Sequence, residues 1–124
     1  MKYLLIALII ILTSCNRKSE PIFLLSPNKM SLDTLKANSE IETGFKIFNK
    51  GEKDLIIYDY STSCECTIIS LLPNTIIKPH DSLPVNLKIK TYQDDKDKNK
   101  RIICTFKSNS DSIFTYLPIS YYTK

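Results

Sequence analysis

The sequence predicts an all-β fold: an antiparallel β-sandwich of about seven strands, preceded by a cleaved signal peptide. Three observations carry this. Period-two alternation recurs along the chain, most cleanly at Val85-Asn86-Leu87-Lys88-Ile89-Lys90, which puts Val85, Leu87 and Ile89 on one face. Short Pro-, Asn-, Asp- and Ser-rich stretches separate the alternating segments. Beyond residue 15 no segment sustains a 3.6-residue apolar repeat.

The leader comes first. Lys2 supplies a positive start, and Tyr3 to Leu12 is an unbroken apolar run. That run falls short of the roughly 18 residues a spanning helix needs. Thr13 and Ser14 are small, and Cys15 follows at once. This is the pattern of a secretory signal peptide over residues 1–14, with Cys15 placed as in a bacterial lipobox. The expectation is export, cleavage ahead of Cys15, and a lipid on Cys15 that anchors the chain to the inner or outer membrane of the cell envelope. Each buried CH2 of an acyl chain contributes about 0.8 kcal/mol, so stable anchoring takes more than one chain.

Residues 15–21 are polar and charged and read as a lipidated tether. Residues 22–124 then form one domain, a length that buries a single core. Leu32 to Glu42 contains Thr34, Asn38 and Ser39, which fit a strand and a turn better than a helix. Phe45-Lys46-Ile47 alternates and runs into the turn signal Phe48-Asn49-Lys50-Gly51. Asp54 to Tyr60 is rich in Ile and Tyr, as strands are. After Val85 to Lys90, the residues Ile102, Cys104 and Phe106 share a face of the next strand. Ile113 to Tyr122 is the last strand, where Pro118 marks an edge or a bulge. Turns fall at Leu72-Pro73-Asn74, Lys78 to Ser82, Asp94 to Asn99 and Ser108 to Ser112. The chain has two glycines, so Asn, Asp, Ser and Pro must supply most of the turns.

The formal charge is +4, and removal of Lys2 with the leader lowers it by one. Basic residues are spread out, apart from a cluster at Lys96 to Arg101. Nucleic-acid binding calls for a basic stripe interleaved with aromatics, and export argues against it too. No Gly-x-Ser-x-Gly elbow, His-Glu-x-x-His or phosphate loop is present, so the chain reads as non-enzymatic. A nucleophile would depend on His80, the single histidine, as its base. Asp95-Lys96-Asp97-Lys98-Asn99 has the opening spacing of a calcium loop. Lys100 stands where that loop needs glycine, and Phe106 where it needs glutamate.

Cysteines carry the remaining chemistry. After the anchor come Cys64, Cys66 and Cys104, an odd number in an oxidising compartment. Three uses are open. Cys104 could bridge to Cys64 or Cys66, closing a loop of about 40 residues worth on the order of 4 kcal/mol in the chain-entropy model; otherwise it is a small core residue. Cys64 and Cys66 could hold Cu(I), or Zn(II) with further ligands such as His80 or Glu65. The same pair could close a small, reducible disulfide, although Glu65 between them disfavours their thiolates.

Several motifs together point to a family: Leu32-Asp33-Thr34-Leu35, Phe45-x-Ile47-x-Asn49-x-Gly51, Asp54-Leu55-Ile56-Ile57, Ser63-Cys64-Glu65-Cys66-Thr67, Ile76-Ile77-Lys78-Pro79 and Ser108-Asn109. In this order they resemble the domain-of-unknown-function 1573 family of small exported bacterial proteins, often lipoproteins. The resemblance implies an immunoglobulin-like sandwich of the ASH type and no established activity. This chain departs from it at three places. Glu65 replaces the usual glycine between the cysteines, His80 the glycine after Pro79, and Thr34 a glycine after Leu32-Asp33. The function expected is that of an envelope adaptor, binding another protein or a surface polymer through an edge strand or a loop end. The competing expectation is a metal or thiol protein built on Cys64 and Cys66.

Overall fold

The computed structural model describes residues 20–124. The signal peptide, Cys15 and residues 16–19 of the expected tether lie outside the described residues. Glu20 and Pro21 already belong to the domain: Pro21 is buried, and the Glu20 carbonyl accepts the Glu52 N–H at 3.3 Å.

Nine strands follow in order: β1 Phe23–Ser26, β2 Met30–Leu35, β3 Glu40–Asn49, β4 Leu55–Thr62, β5 Thr67–Ile69, β6 Thr75–Ile77, β7 Ser82–Lys90, β8 Lys98–Ser108 and β9 Phe114–Thr123. A single 3-10 turn, Gln93–Asp95, is the only helical element among the described residues. The strands form a four-stranded sheet, β1-β3-β7-β5, packed on a five-stranded sheet, β2-β9-β8-β4-β6. The count exceeds the seven expected for two reasons. The bend at Pro27-Asn28-Lys29 carries the first strand from one sheet to the other, as β1 and β2. The segment after Cys66 adds two three-residue edge strands. The sandwich is antiparallel but for one ladder, β2 with β9, which is parallel. Parallel pairing needs a long crossover, and here the rest of the domain is that crossover.

Alternation places the core as read from the sequence. Val85, Leu87 and Ile89 of β7 face Ile102, Cys104 and Phe106 of β8, all essentially unexposed. The Phe106 ring lies 5.7 Å from both the Phe23 and the Phe45 rings, centroid to centroid. Burial of each such apolar side chain contributes about 1.5–3 kcal/mol. Asp94 to Asn99 is shorter as a loop than expected, because β8 begins at Lys98. Its Asp95 is held by Lys100 Nζ at 3.1 Å and by the Tyr92 N–H at 3.1 Å. Partial burial works against the charged carboxylate, and these two contacts overcome it and keep Asp95 below its usual pKa.

Of the six buried polar residues among the described residues, one joins four segments. Asn49, at the end of β3, is fully buried. Its Nδ2 donates to the carbonyls of Lys53 (2.7 Å) and Ile77 (3.0 Å). Its Oδ1 accepts the N–H groups of Ile22 (3.3 Å) and Gly51 (3.0 Å). Gly51 is required by close approach: a Cβ there would lie 1.9 Å from the Glu20 carbonyl oxygen. The Asn49 carbonyl accepts the His80 N–H at 2.8 Å. His80 reaches it with φ of 62°, a left-handed conformation costing a non-glycine residue roughly 1–2 kcal/mol. Asp33, Asn38, Asn74 and Asp97 take the other positive-φ positions, so turns are built by Asn and Asp as composition requires.

Asn49→Ala is expected to lose at least about 3 kcal/mol of stability, because it strands buried donors and acceptors from four residues; urea unfolding measures this. His80→Gly is expected to gain roughly 0.5–1 kcal/mol, the relief of the left-handed cost less the extra freedom of the unfolded chain. A fall in its urea midpoint would contradict that account. Burial pushes the Cys104 thiol from 9.0 up to about 11. The stability owed to keeping it neutral is whole below pH 9 and lost as pH rises towards 11. Between about pH 8 and 10.5, Cys104→Val is therefore expected to lose less stability than the unmodified chain.

Candidate functional site

Cys64 and Cys66 meet in a turn at one end of the sandwich. β4 finishes at Thr62, and the chain turns through Ser63-Cys64-Glu65-Cys66 into β5 of the other sheet. Five hydrogen bonds shape this turn. The Ser63 N–H donates to the Ile103 carbonyl (3.0 Å), and the Ile103 N–H donates back to Ser63 Oγ (2.8 Å). Thr62 Oγ1 donates to the Cys64 carbonyl (2.7 Å), which also accepts the Thr67 N–H (3.3 Å). The Lys90 N–H donates to the Cys66 carbonyl (2.8 Å), fixing the turn to the end of β7.

Within it Cys64 and Cys66 are joined as a disulfide, with Cα atoms 5.1 Å apart. An extended segment would have held the two side chains parallel on one face; the turn instead brings the sulfurs together. Cys66 is buried, Cys64 is half-buried and Glu65 is exposed. The Cys66 N–H donates to Cys64 Sγ at 3.2 Å, and Thr67 Oγ1 lies 3.6 Å from Cys66 Sγ.

The long bridge from Cys104 is not formed, which corrects one of the alternatives above. Cys104 is a free thiol, opposite Thr62 in the β4–β8 ladder and wholly inside the core. Cys64 has by then left that ladder, and its nearest sulfur is two residues along the same turn. Cys104 therefore acts as a core residue beside Ile102 and Phe106. The metal alternative changes as well. Sulfurs bonded to each other offer no thiolate, and the described residues hold no cluster of three or more His, Cys, Asp or Glu suited to a metal. His80 lies at the opposite end of the sandwich, the length of nine-residue β7 away, about 30 Å. There its Nε2 meets Glu52 Oε1 at 3.1 Å, both exposed.

A second feature escaped the sequence because it depends on which strand neighbours which. β2 first pairs with β9 at Met30–Ile119, so Phe114 to Pro118 have a ladder partner, β8, on one side only. The Ser108 N–H donates to the Ile113 carbonyl (2.9 Å), which sets the alternation of the β8–β9 ladder. Phe114 and Tyr116 thus turn their N–H and C=O groups towards the open side, while the Pro118 carbonyl meets Met30, the first residue of β2. Pro118 lies where β9, an inner strand from Ile119 on, is locally an open edge, one of the two settings expected for it, and it is tolerated because its missing donor faces this gap. Ile113, Phe114 and Tyr116 are each more than half or about half exposed beside it. At the gap's end is a groove of about 480 Å³ lined by Lys29, Met30, Ser31, Arg101, Pro118 and Ser120. Among the described residues neither Lys29 nor Arg101 is in an ion pair.

Comparison places this architecture among known proteins. A protein of unknown function from Porphyromonas gingivalis W83 superposes with a TM-score of 0.69 at 13% identity, over 89% of this chain and 50% of that one. The chain thus spans half the length of that protein. The ASH/PapD-like domain 7 of human CEP192 gives 0.68 at 7% identity, over 90% and 92% of the two chains. The CsuC–CsuE chaperone–tip adhesion subunit pre-assembly complex of Acinetobacter baumannii gives 0.59 at 17% identity, over 83% and 52%. At these identities the likeness is one of fold, and the fold is immunoglobulin-like. A search of the curated proteins finds no match. The sequence itself matches a family described as a protein of unknown function over residues 23–119, a span running from the first residue of β1 into β9 and containing Asn49, the cysteine turn and Asn109. The chain belongs to the DUF1573 family.

Proposed function

We propose that this chain is a non-enzymatic adaptor, lipid-anchored through Cys15 in the cell envelope, whose domain takes an extended segment of an envelope protein as an added strand on β9. The observation that carries this is the half-open β9 edge. Phe114 and Tyr116 present N–H and C=O groups there, with no strand beside them. Backbone pairing supplies affinity in strand addition, and flanking side chains supply selection. Exposed Ile113, Phe114 and Tyr116 offer apolar contact, and Lys29 and Arg101 suit an acidic side chain or terminal carboxylate at the segment's end. A chain of similar fold was solved within a chaperone–tip adhesion subunit complex, which makes protein binding by such a domain a reasonable precedent.

The opposite outer face argues for the β9 side. There Lys88 pairs with Glu40 (3.8 Å) and Glu42 (3.4 Å) across strands, so both carboxylates at that end of the face already have a cation.

A photoreactive phenylalanine at position 116, in intact envelopes, tests the reading against one at position 42. A discrete protein adduct from 116 and none from 42 is expected. Phe114→Pro, which removes one edge N–H and no bond to β8, is expected to reduce that adduct about tenfold or more. Adducts to polysaccharide alone would favour a surface-polymer ligand, and equal labelling from both positions would overturn strand addition.

A further inference from the structure

We propose that the Cys64–Cys66 bond is a thiol-exchange site, in which Cys64 takes the incoming thiolate and Cys66 is the sulfur that leaves. The inference does not depend on strand addition at β9.

Two properties make a structural role for this bond weak. A disulfide stabilises mainly by restricting the unfolded chain, and the restriction grows with the loop it closes. This one joins residues two apart, among the shortest loops available. The turn is also held without it. Ser63 is tied to β8, Thr62 and Thr67 to the Cys64 carbonyl, and Lys90 of β7 to the Cys66 carbonyl. Opening the sulfur bond leaves all of those hydrogen bonds in place.

The two sulfurs are not equivalent. Cys64 is half-buried at the margin of the core, whereas Cys66 is 6% exposed. Exchange requires access along the sulfur–sulfur axis, which selects Cys64 as the sulfur attacked. Each sulfur has a donor placed for the thiolate it must become. The Cys66 N–H points to Cys64 Sγ at 3.2 Å, and the Thr67 hydroxyl stands 3.6 Å from Cys66 Sγ. Glu65 opposes both thiolates, but its carboxylate is exposed and screened by solvent. Cys104 stays out of the exchange: it is enclosed in the core, and burial keeps it a protonated thiol.

The co-reactant is a protein dithiol. One of its thiolates attacks Cys64 Sγ, the Cys64–Cys66 bond breaks, and Cys66 leaves as a thiolate that takes up a proton. The partner's second thiolate then attacks its own sulfur in the mixed disulfide and releases Cys64. Two electrons pass to the Cys64–Cys66 pair, two protons end on its sulfurs, and the partner departs as a disulfide.

The test uses the full chain in detergent, with dithiothreitol as the dithiol probe. Samples are equilibrated in reduced and oxidised dithiothreitol, alkylated, and counted by intact mass while circular dichroism follows the fold. Two thiols appearing together in a folded chain, with Cys104 unlabelled, is the expected result. Excess glutathione then traps the first adduct, and cleavage after Glu65 separates the two cysteines for mapping. An adduct on Cys64 at about tenfold or more over Cys66 is expected. Cys66→Ser should trap glutathione on Cys64 faster than Cys64→Ser traps it on Cys66, by a similar factor. Reduction seen only where Cys104 labels and the fold is lost would overturn the proposal, as would equal adducts on the two sulfurs. The mapping on the unmodified chain decides the matter even if either serine variant fails to fold.

Discussion

The fold depends on a buried amide. Asn49 sits where four segments converge: the entry to β1, the turn after β3, the approach to β4 and the end of β6. All four have backbone groups that no ladder reaches. An unpaired buried N–H or C=O costs about 1–3 kcal/mol, so four of them would rival the whole stability of a small domain. One amide carries two donors and an acceptor with two lone pairs, and here all four are used. A carboxylate lacks the donors and a hydroxyl lacks the count. The residue type follows from the number and sign of the groups to be satisfied.

That convergence imposes further choices. The N-terminal segment must pass over residue 51 so closely that no side chain fits, hence Gly51. The turn before β7 must present the His80 N–H to the Asn49 carbonyl, and it does so with positive φ. Asn109 repeats the device on a smaller scale at the other sheet. Its Oδ1 accepts the Ile56 N–H (2.8 Å) and its Nδ2 donates to the Asp54 carbonyl (3.1 Å), so a side chain extends the β4–β8 ladder beyond its last pair, Ile57–Ser108. Both asparagines lie within the span that matches the family. Their role is to close the backbone hydrogen-bond account of a two-sheet fold, which leaves the family's activity to be sought elsewhere on the molecule.

The surfaces left over divide by chemistry. On the outer face of the four-stranded sheet Lys88 is paired with Glu40 and Glu42. The β9 side of the other sheet has unpaired backbone, exposed aromatics and unpaired cations in one place. The cysteine turn lies at the end where β4 crosses to β5, with Cys64 half-buried and Cys66 buried. The strand edge and the disulfide ask different things of a ligand, a backbone in one case and a sulfur in the other, so each is testable without the other.

Sequence alone determined the all-β class, the alternating core of β7 and β8, the turn chemistry and the family. These are local properties: period-two patterning and the φ preferences of Asn, Asp and Gly act within a few residues. It also singled out Cys64 and Cys66, because only their spacing is unusual. Tertiary structure decided everything that depends on which strand lies beside which. It split the first strand between two sheets, made the β2–β9 ladder parallel, and put Pro118 where β9 is locally an open edge. It enclosed Cys104 away from the turn, so that the disulfide closes between near neighbours, and it set His80 at the far end from both. The physical reason is that hydrogen-bond pairing between distant strands carries no short-range signature, while the burial it creates sets which groups meet and which reach solvent.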